Sequence, residues 1–416
     1  MPKNTLAQAA SSLARRLDQL ARVSDERGET TRTFLSPAMG RANTLVGRWM
    51  RGAGLAVRED AVGNLIGRTK ARAPCARTFL FGSHLDTVRD AGRFDGTLGV
   101  LLPIAALEVV RSRGIDLPFD VEVVGFSEEE GVRFPSAYLG SKGYTGHLTA
   151  SDLALRDAQG TSVAQVLARH NGRRTPPPRA AHASEELIGY LEVHIEQGPV
   201  LEDKGLAAGV VSAISGQTRA VVRFSGRAGH AGTTPMALRK DALACAAEFI
   251  LATEALARSR PPLVATVGRI TARPGAANVI AGDVELSLDV RHPADAPRKS
   301  AVAALRAAAQ RIARGRGVRS SVTVAQDNGA VACSHELTAL LERSVRACQG
   351  RSIALASGAG HDAVIVSSIA PVAMLFVRCR GGLSHHPDEH VRSGDLGVAL
   401  GIVVDFLTRM AYRIGP

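Results

Sequence analysis

The chain has 416 residues, 45% hydrophobic and 22% charged, an ordinary globular composition that excludes disordered and fibrous architectures. Lys and Arg number 51 against 39 Asp and Glu, a formal net charge of +12. Nearly all the cations are Arg spread along the whole sequence, the densest clusters being pairs such as Arg15-Arg16 and Arg173-Arg174, and aromatics are only 4%. A nucleic-acid footprint gathers its cations on one face with aromatics for stacking, so no nucleic-acid partner is expected; diffuse positive charge is suited to steering anionic small molecules.

The longest uncharged apolar stretch, Ala363 to Val377, is too short to span a bilayer and contains Ser367, Ser368 and Pro371. The opening MPKNTLAQAASSLARR has no continuous apolar segment, so no secretory signal is expected. These features predict a soluble, cytoplasmic protein with no membrane partner. The five cysteines (Cys75, Cys245, Cys333, Cys348, Cys379) are odd in number and form no CxxC pair. That excludes a disulfide framework and a thiolate zinc ribbon, and predicts small buried hydrophobes in a reducing compartment. The length suggests about two or three domains.

Leu13, Leu17 and Leu20 have helical spacing, and Asn64 to Gly67 reads as extended. Thr78 to Phe81 is an apolar strand running into Gly82-Ser83-His84-Leu85-Asp86; Leu98 to Val110 is a nearly all-apolar helix, and Val121 to Phe126 a strand ending at Glu128-Glu129-Glu130-Gly131. Strand, helix, strand predicts a βαβ unit in a largely parallel sheet, with ligand-bearing loops at the carboxyl ends of the strands. Arg173 to Pro178 is a surface loop by composition. From about Val211 the pattern changes. Arg219–Phe224 reads as a strand, Leu243, Ala246, Ala247 and Ile250 as one helical face, and Leu263–Ile270 as a second strand. Val284, Leu286, Leu288 and Val290 alternate with polar residues in a third strand; Val302, Leu305, Ala309 and Ile312 mark a helix, and Ser321–Val324 a fourth strand. The order βαββαβ is the ferredoxin-like motif. The expected division is a discontinuous domain of residues 1–211 and 329–416 with 212–328 inserted into it.

Histidines and carboxylates carry the chemistry. His84 and Asp86 share a strand end, where a carboxylate can accept the second N–H of a metal-binding imidazole. Asp95 sits in the glycine-bounded Gly92-Arg93-Phe94-Asp95-Gly96, Glu129-Glu130 end the next strand, His194 ends the apolar strand Tyr190–Val193, and His385 lies in Leu383-Ser384-His385-His386-Pro387. One strand-end histidine alone means little, being more often a hydrogen-bonded surface residue than a ligand. The set, with no thiolate, suits one or two divalent ions of the zinc, manganese or cobalt kind, with a water as nucleophile and a carboxylate as its base.

The stretches GSHLDTVRDAGRFDGTLGV (82–100), FSEEEGVRF (126–134), YLEVHIEQGPVLE (190–202), GRAGHAGTTPMALRKDA (226–242), PGAANVIAGDVELSLDVR (274–291), SGAGHDA (357–363) and GLSHHPDE (382–389) resemble, in the same order, the hydantoinase/carbamoylase amidase branch of the M20 peptidase-like family. That branch includes N-carbamoyl-L-amino acid hydrolases, allantoate amidohydrolases and β-ureidopropionases. The resemblance implies an α/β catalytic domain of dinuclear-metal exopeptidase type with an inserted ferredoxin-like α+β lid and dimerisation domain. It also implies two divalent ions per subunit, zinc first, then manganese, cobalt or nickel. His84, Asp95 and His194 would hold one ion and Asp95, Glu130 and His385 the other, with Asp95 bridging. Glu129 would be the general base and acid, and Asp86 would orient His84. His386 is the rival to His385 as ligand, and Glu128 is a surplus acid expected to be solvated. Gln197, His230, Asn278 and Arg291 are implied at the substrate. From the residues themselves, guanidinium suits bidentate carboxylate recognition, His230 between glycines can donate to an oxyanion, and the glycine-rich turn at 358–362 makes Gly360 and His361 further candidates.

The expected activity is hydrolysis of the carbamoyl C–N bond of N-carbamoyl-L-amino acids, with allantoate and then carbamoyl-β-alanine as the alternatives. Closure between the domains would assemble the site, and homodimers would form through the inserted domain. A dipeptidase is disfavoured by the HIEQG and GHAGTTPM runs, and a metal-free binding protein by the intact ligand set.

Overall fold

The computed structural model describes residues 3–69, 77–171 and 180–414. Cys75, the Arg173-Arg174 pair and the Pro176–Pro178 loop lie outside the described residues. Two compact units are present: a larger one of residues 1–212, 333–355 and 359–416, and a smaller one of 213–332 with 356–358. Along the chain come α1 (Lys3–Ala21), α2 (Pro37–Gly52), β1 (Ala56–Glu59), β2 (Leu65–Arg68), β3 (Thr78–His84), α3 (Thr97–Ser112), β4 (Asp120–Phe126), α4 (Leu139–Thr145), β5 (Leu187–Ile195) and β6 (Ala208–Ile214). Next are β7 (Gly216–Ser225), α5 (Ala242–Arg258), β8 (Val264–Thr266), β9 (Ile270–Arg273), β10 (Asp283–His292), α6 (Asp295–Gly315) and β11 (Arg319–Asn328). The chain ends with α7 (His335–Gln349), β12 (Val372–Val377) and α8 (Ser393–Ile414), with shorter pieces between these elements. Among the described residues no helix is long and apolar enough to cross a membrane.

In the larger unit β3 pairs in parallel with β4 and β5, and β5 with β12. The flanks are antiparallel: β2 on β4, β1 on β2, and β6 on β12. The sheet is therefore mixed, whereas the βαβ pattern suggested a largely parallel one. The short link between β1 and β2 permits only an antiparallel pair, and parallel pairing stays with strands joined by long crossovers. Every residue of β3 and β4 is buried, as in strands covered on both faces. Register then aligns their carboxyl ends, with His84 beside Phe126 and His194 beside Phe376. Leu13, Leu17 and Leu20 form one buried face of α1, and α3 is buried on nearly all sides because α1 and α8 pack over it. Gly99 lets α3 lie close to the sheet: a Cβ there would collide with the Val193 carbonyl oxygen and stand 2.6 Å from Ser83 Cβ.

The smaller unit has an antiparallel sheet in the order β9-β10-β7-β11, with α5 and α6 supplying the helices of its core. Its βαββαβ path matches the ferredoxin-like motif. The stretch expected as one strand, 263–270, is two: β8 lies on Asp289–Arg291 and β9 on Leu286–Asp283, both along β10. Gly268 falls in the break, where a residue without a side chain weakens a strand. In β10, Val284, Leu286, Leu288 and Val290 are all buried. The inward face of α5 is Ala242, Cys245, Ala246, Phe249 and Thr253, while Leu243 and Ala247 are exposed. That helix is apolar around so much of its circumference that spacing alone points to a face rotated by one residue. Cys245 and Cys379 are buried and Cys333 is half-buried, but Cys348, on α7, is exposed.

One prediction follows from the contact of α3 with β5. Intrinsic helix propensity favours Ala over Gly, yet Gly99→Ala should destabilise by about 1–3 kcal/mol because backbone must move to admit the methyl group. The check is a lower urea midpoint at unchanged slope; an equally stable variant would refute the close approach.

Candidate active site

The carboxyl ends of β4, β3, β5 and β12 present the loops that bring the predicted side chains of the larger unit together. Asp95, in the loop before α3, is the centre. Its Oδ1 lies 3.2 Å from His84 Nε2 and 3.3 Å from His194 Nε2, and its Oδ2 lies 3.7 Å from His385 Nε2. His385 Nε2 is also 3.4 Å from Glu130 Oε1. Three overlapping groups of ligand atoms result: His84–Asp95–His194, Asp95–Glu130–His385, and His84–Glu129–Glu130. His386 turns away, its Nδ1 accepting the Asp388 N–H at 3.1 Å.

The far nitrogens of the buried histidines are occupied. His194 Nδ1 bonds the Ile195 carbonyl at 2.9 Å and His84 Nδ1 the Asp86 carbonyl at 3.0 Å, so each presents Nε2 to Asp95. Asp86 holds His84 mainly through this carbonyl; its carboxylate is farther, at 3.5 Å. β3 ends at His84, so strand alternation does not extend to Asp86. The Asp86 carboxylate instead accepts the backbone N–H groups of Glu129 at 3.0 Å and Glu130 at 3.2 Å, fixing the acidic pair. Glu128, expected to be solvated, is fully buried. Gly140 at the start of α4 packs on this turn and donates its N–H to the Glu128 carbonyl, folding the segment inward.

Burial and neighbouring charges together set the protonation of the cluster. Burial opposes ionisation of Asp95, but the imidazoles of His194 and His84 outweigh it and hold that carboxyl well below its ordinary range. Burial works against protonation of His84 too, yet Asp86 and Asp95 raise it well above normal. Burial, reinforced by Glu130, lifts Glu129 well above the usual carboxylate range, and burial raises Glu130 to about 8. His361 packs edge-on against His194 at 4.6 Å; burial, then the charge of His194, keeps it neutral.

Sequence reasoning missed Glu389, although it stands in the quoted SHHPDE run. Its Oε1 accepts the N–H groups of Phe94 at 2.7 Å and Asp95 at 3.0 Å, so it holds the loop that carries Asp95. Nothing local in the sequence links positions so far apart. Ser384 Oγ donates to Asp95 Oδ2, and Gln197 Nε2 reaches the same oxygen at 2.7 Å. Gln197 therefore belongs to the Asp95 cluster.

Of the other predicted substrate residues, Gly360 and His361 belong to the larger unit, and His230, Asn278 and Arg291 to the smaller. His230 pairs with Val279 on a two-residue ladder, and Ala231 N–H bonds the Asn278 carbonyl at 2.9 Å, setting His230 and Asn278 side by side and exposed. The Gly232 N–H donates to His230 Nδ1 at 3.1 Å, which leaves Nε2 to carry the proton. Arg291 on β10 gives Nε and Nη2 to Asp289 at 2.8 and 3.0 Å, and Nη1 to the Gly358 carbonyl at 2.6 Å.

Residues 80–409 match the sequence profile of peptidase family M20/M25/M40. The chain is 39% identical to an allantoate deiminase 2 of Glycine max, covering 95% of this chain and 88% of that protein. It is 38% identical to an N-carbamoyl-L-amino acid amidohydrolase of Geobacillus stearothermophilus, covering 96% and 98%. A hydantoinase/carbamoylase family amidase from Burkholderia multivorans superposes with a TM-score of 0.90 at 30% identity, covering 97% and 98%. Chain-long identity of this order, with the clustered histidines and carboxylates lying inside the matched residues, places the chain in peptidase family M20/M25/M40, in its hydantoinase/carbamoylase amidase branch.

Proposed function

We propose that the protein is a metal-dependent amidohydrolase that cleaves the carbamoyl C–N bond of small ureido carboxylates, N-carbamoyl-L-amino acids first. The observation that carries this reading is Asp95, which offers one carboxylate oxygen to His84 and His194 and the other toward His385. Allantoate is the second reading, because the relatives' names divide between the two substrates.

The donor set fits divalent ions: imidazole nitrogens and carboxylates without thiolate, with burial, and then neighbouring acids, pushing Glu129 and Glu130 upward. His84, Asp95 and His194 would hold one ion and Asp95, Glu130 and His385 a second, zinc or otherwise manganese, cobalt or nickel. Such ions would polarise the ureido carbonyl and acidify a water. Glu129 takes the proton of the attacking water at its carboxylate and delivers it to the leaving nitrogen, a shuttle suited to a carboxyl lifted from the ordinary range. Arg291 has N–H donors left over from Asp289 and Gly358 and binds the substrate carboxylate; His230, with its proton on Nε2, and Asn278 steady the developing oxyanion. Gly360 and His361 complete the proposed substrate contacts. The smaller unit is the proposed lid and dimer-forming domain, since Met236, Leu238, Leu251 and Val264 are exposed apolar residues on it.

Chelation should abolish turnover and a divalent ion should restore it. Because Glu130 in the metal-free protein holds a proton below about pH 8, metal uptake should release protons and apparent affinity should rise with pH up to that value. Titration calorimetry in buffers of different ionisation enthalpy reads this directly, and uptake without proton release would contradict it. Glu129→Gln should keep its metal and lose about 10²–10⁴-fold in kcat; near-parental turnover would remove Glu129 from its role. Ammonia release from allantoate, N-carbamoyl-L-amino acids and N-carbamoyl-β-alanine, run side by side on metal-loaded protein, decides the substrate. Preference for allantoate would replace the first reading with the second, and silence on all three classes would overturn both.

A further inference from the structure

We propose that Tyr138 is a substrate-contacting residue of this site, its hydroxyl placed over Gly360 to donate a hydrogen bond to the ureido oxygen; this rests on the proposed amide hydrolysis. Tyr138 immediately precedes α4 and adopts φ 68°, ψ 24°, a left-handed conformation that an aromatic residue rarely takes. Its backbone is fastened on both sides: the N–H donates to the Glu129 carbonyl at 3.2 Å and the carbonyl accepts the Lys142 N–H at 2.9 Å. Glycine or asparagine would relieve the strain at this position, so a bulky side chain held there points to a task for the side chain.

That side chain ends against Gly360. A Cβ built on Gly360 would overlap the Tyr138 hydroxyl oxygen and lie 3.2 Å from Cζ, so the phenol occupies the space a side chain at 360 would fill. Tyr138 is only partly buried, and its hydroxyl makes no hydrogen bond to the described residues. Glu129, the proposed base, is among the acidic groups around it, together with Asp362, Glu192 and Glu130. A neutral O–H donor beside these acids and the proposed base suits the neutral ureido oxygen better than the carboxylate of the substrate.

The test compares Tyr138→Phe, Gly360→Ala and the double variant, metal-loaded, on whichever ureido acid the wild-type protein cleaves. Tyr138→Phe should keep its metal content and unfolding midpoint while kcat/KM falls about tenfold or more, the effect of one lost donor. Gly360→Ala should lower the midpoint in the parent and much less in the Tyr138→Phe background, where the overlapping oxygen is gone. Parental kcat and KM in Tyr138→Phe, loss of its metal or fold, or equal damage from Gly360→Ala in both backgrounds would each overturn the assignment to Tyr138 alone. A wild-type protein inactive on every ureido acid would overturn the proposed function and this inference with it.

Discussion

The Asp95 carboxylate, nearly sealed from solvent, faces imidazoles on both of its oxygens, and the larger unit is organised around keeping it there. Three parallel pairings put β4, β3, β5 and β12 side by side with their carboxyl ends in line. Such ends are where open α/β sheets present their ligand loops. Each strand is buried along all or nearly all of its length, so the side chains leaving its end start from a fixed base. The close approach of α3 at Gly99 sets the helix that follows Asp95, and the register of β5 against β12 sets His194.

Holding Asp95 takes a second circle of contacts. Glu389 accepts the backbone N–H of Asp95, Ser384 and Gln197 donate to its Oδ2, and Asp86 accepts the two N–H groups of the Glu129-Glu130 turn. Two of the residues involved depart from ordinary backbone geometry: Gln197 and His385 have φ values of 56° and 57°. Left-handed backbone in non-glycine residues costs free energy and persists where surrounding contacts over-determine it. Both positions lie in loops that carry polar groups to one carboxylate, above central strands that are buried almost throughout. In the smaller unit Asp289 has a comparable part, gripping one edge of the Arg291 guanidinium and leaving other donors free.

Local chemistry made part of this legible. Period-2 alternation in β10, the leucine spacing of α1 and the apolar run of α3 are properties of a few consecutive residues, and the structure has those elements where the spacing puts them. His84, Asp95, Glu129, Glu130, His194 and His385 were visible as acids and imidazoles at strand ends, and the resemblance to a family grouped them. Partnerships across long sequence separation were not legible: Glu389 with Asp95, Tyr138 with Gly360, and the burial of Glu128 beneath α4 depend on the folded path. Strand direction at the sheet edge was hidden because pairing is a property of two segments. The buried face of α5 differs from the one its spacing suggests because its apolar residues extend past one face, so that periodicity carries little information there.

The electrostatics of the larger unit also suit its His/Asp/Glu cluster to binding metal. Among the described residues, Asp86, Asp95, Glu128, Glu129, Glu130, Glu192 and Asp362 are gathered around His84, His194 and His385, with Arg32 a further cation near Asp86, while His361 is kept neutral. Burial drives most of these carboxyls upward, Glu130 to about 8, and raises the neighbouring Glu389 to about 7, so protons offset part of the crowded negative charge. A cluster built for stability alone would replace such groups with apolar residues, because unpaired buried charge is costly. Keeping them trades stability for a cluster able to bind metal, and the parallel strands beneath are what let the repelling groups remain close.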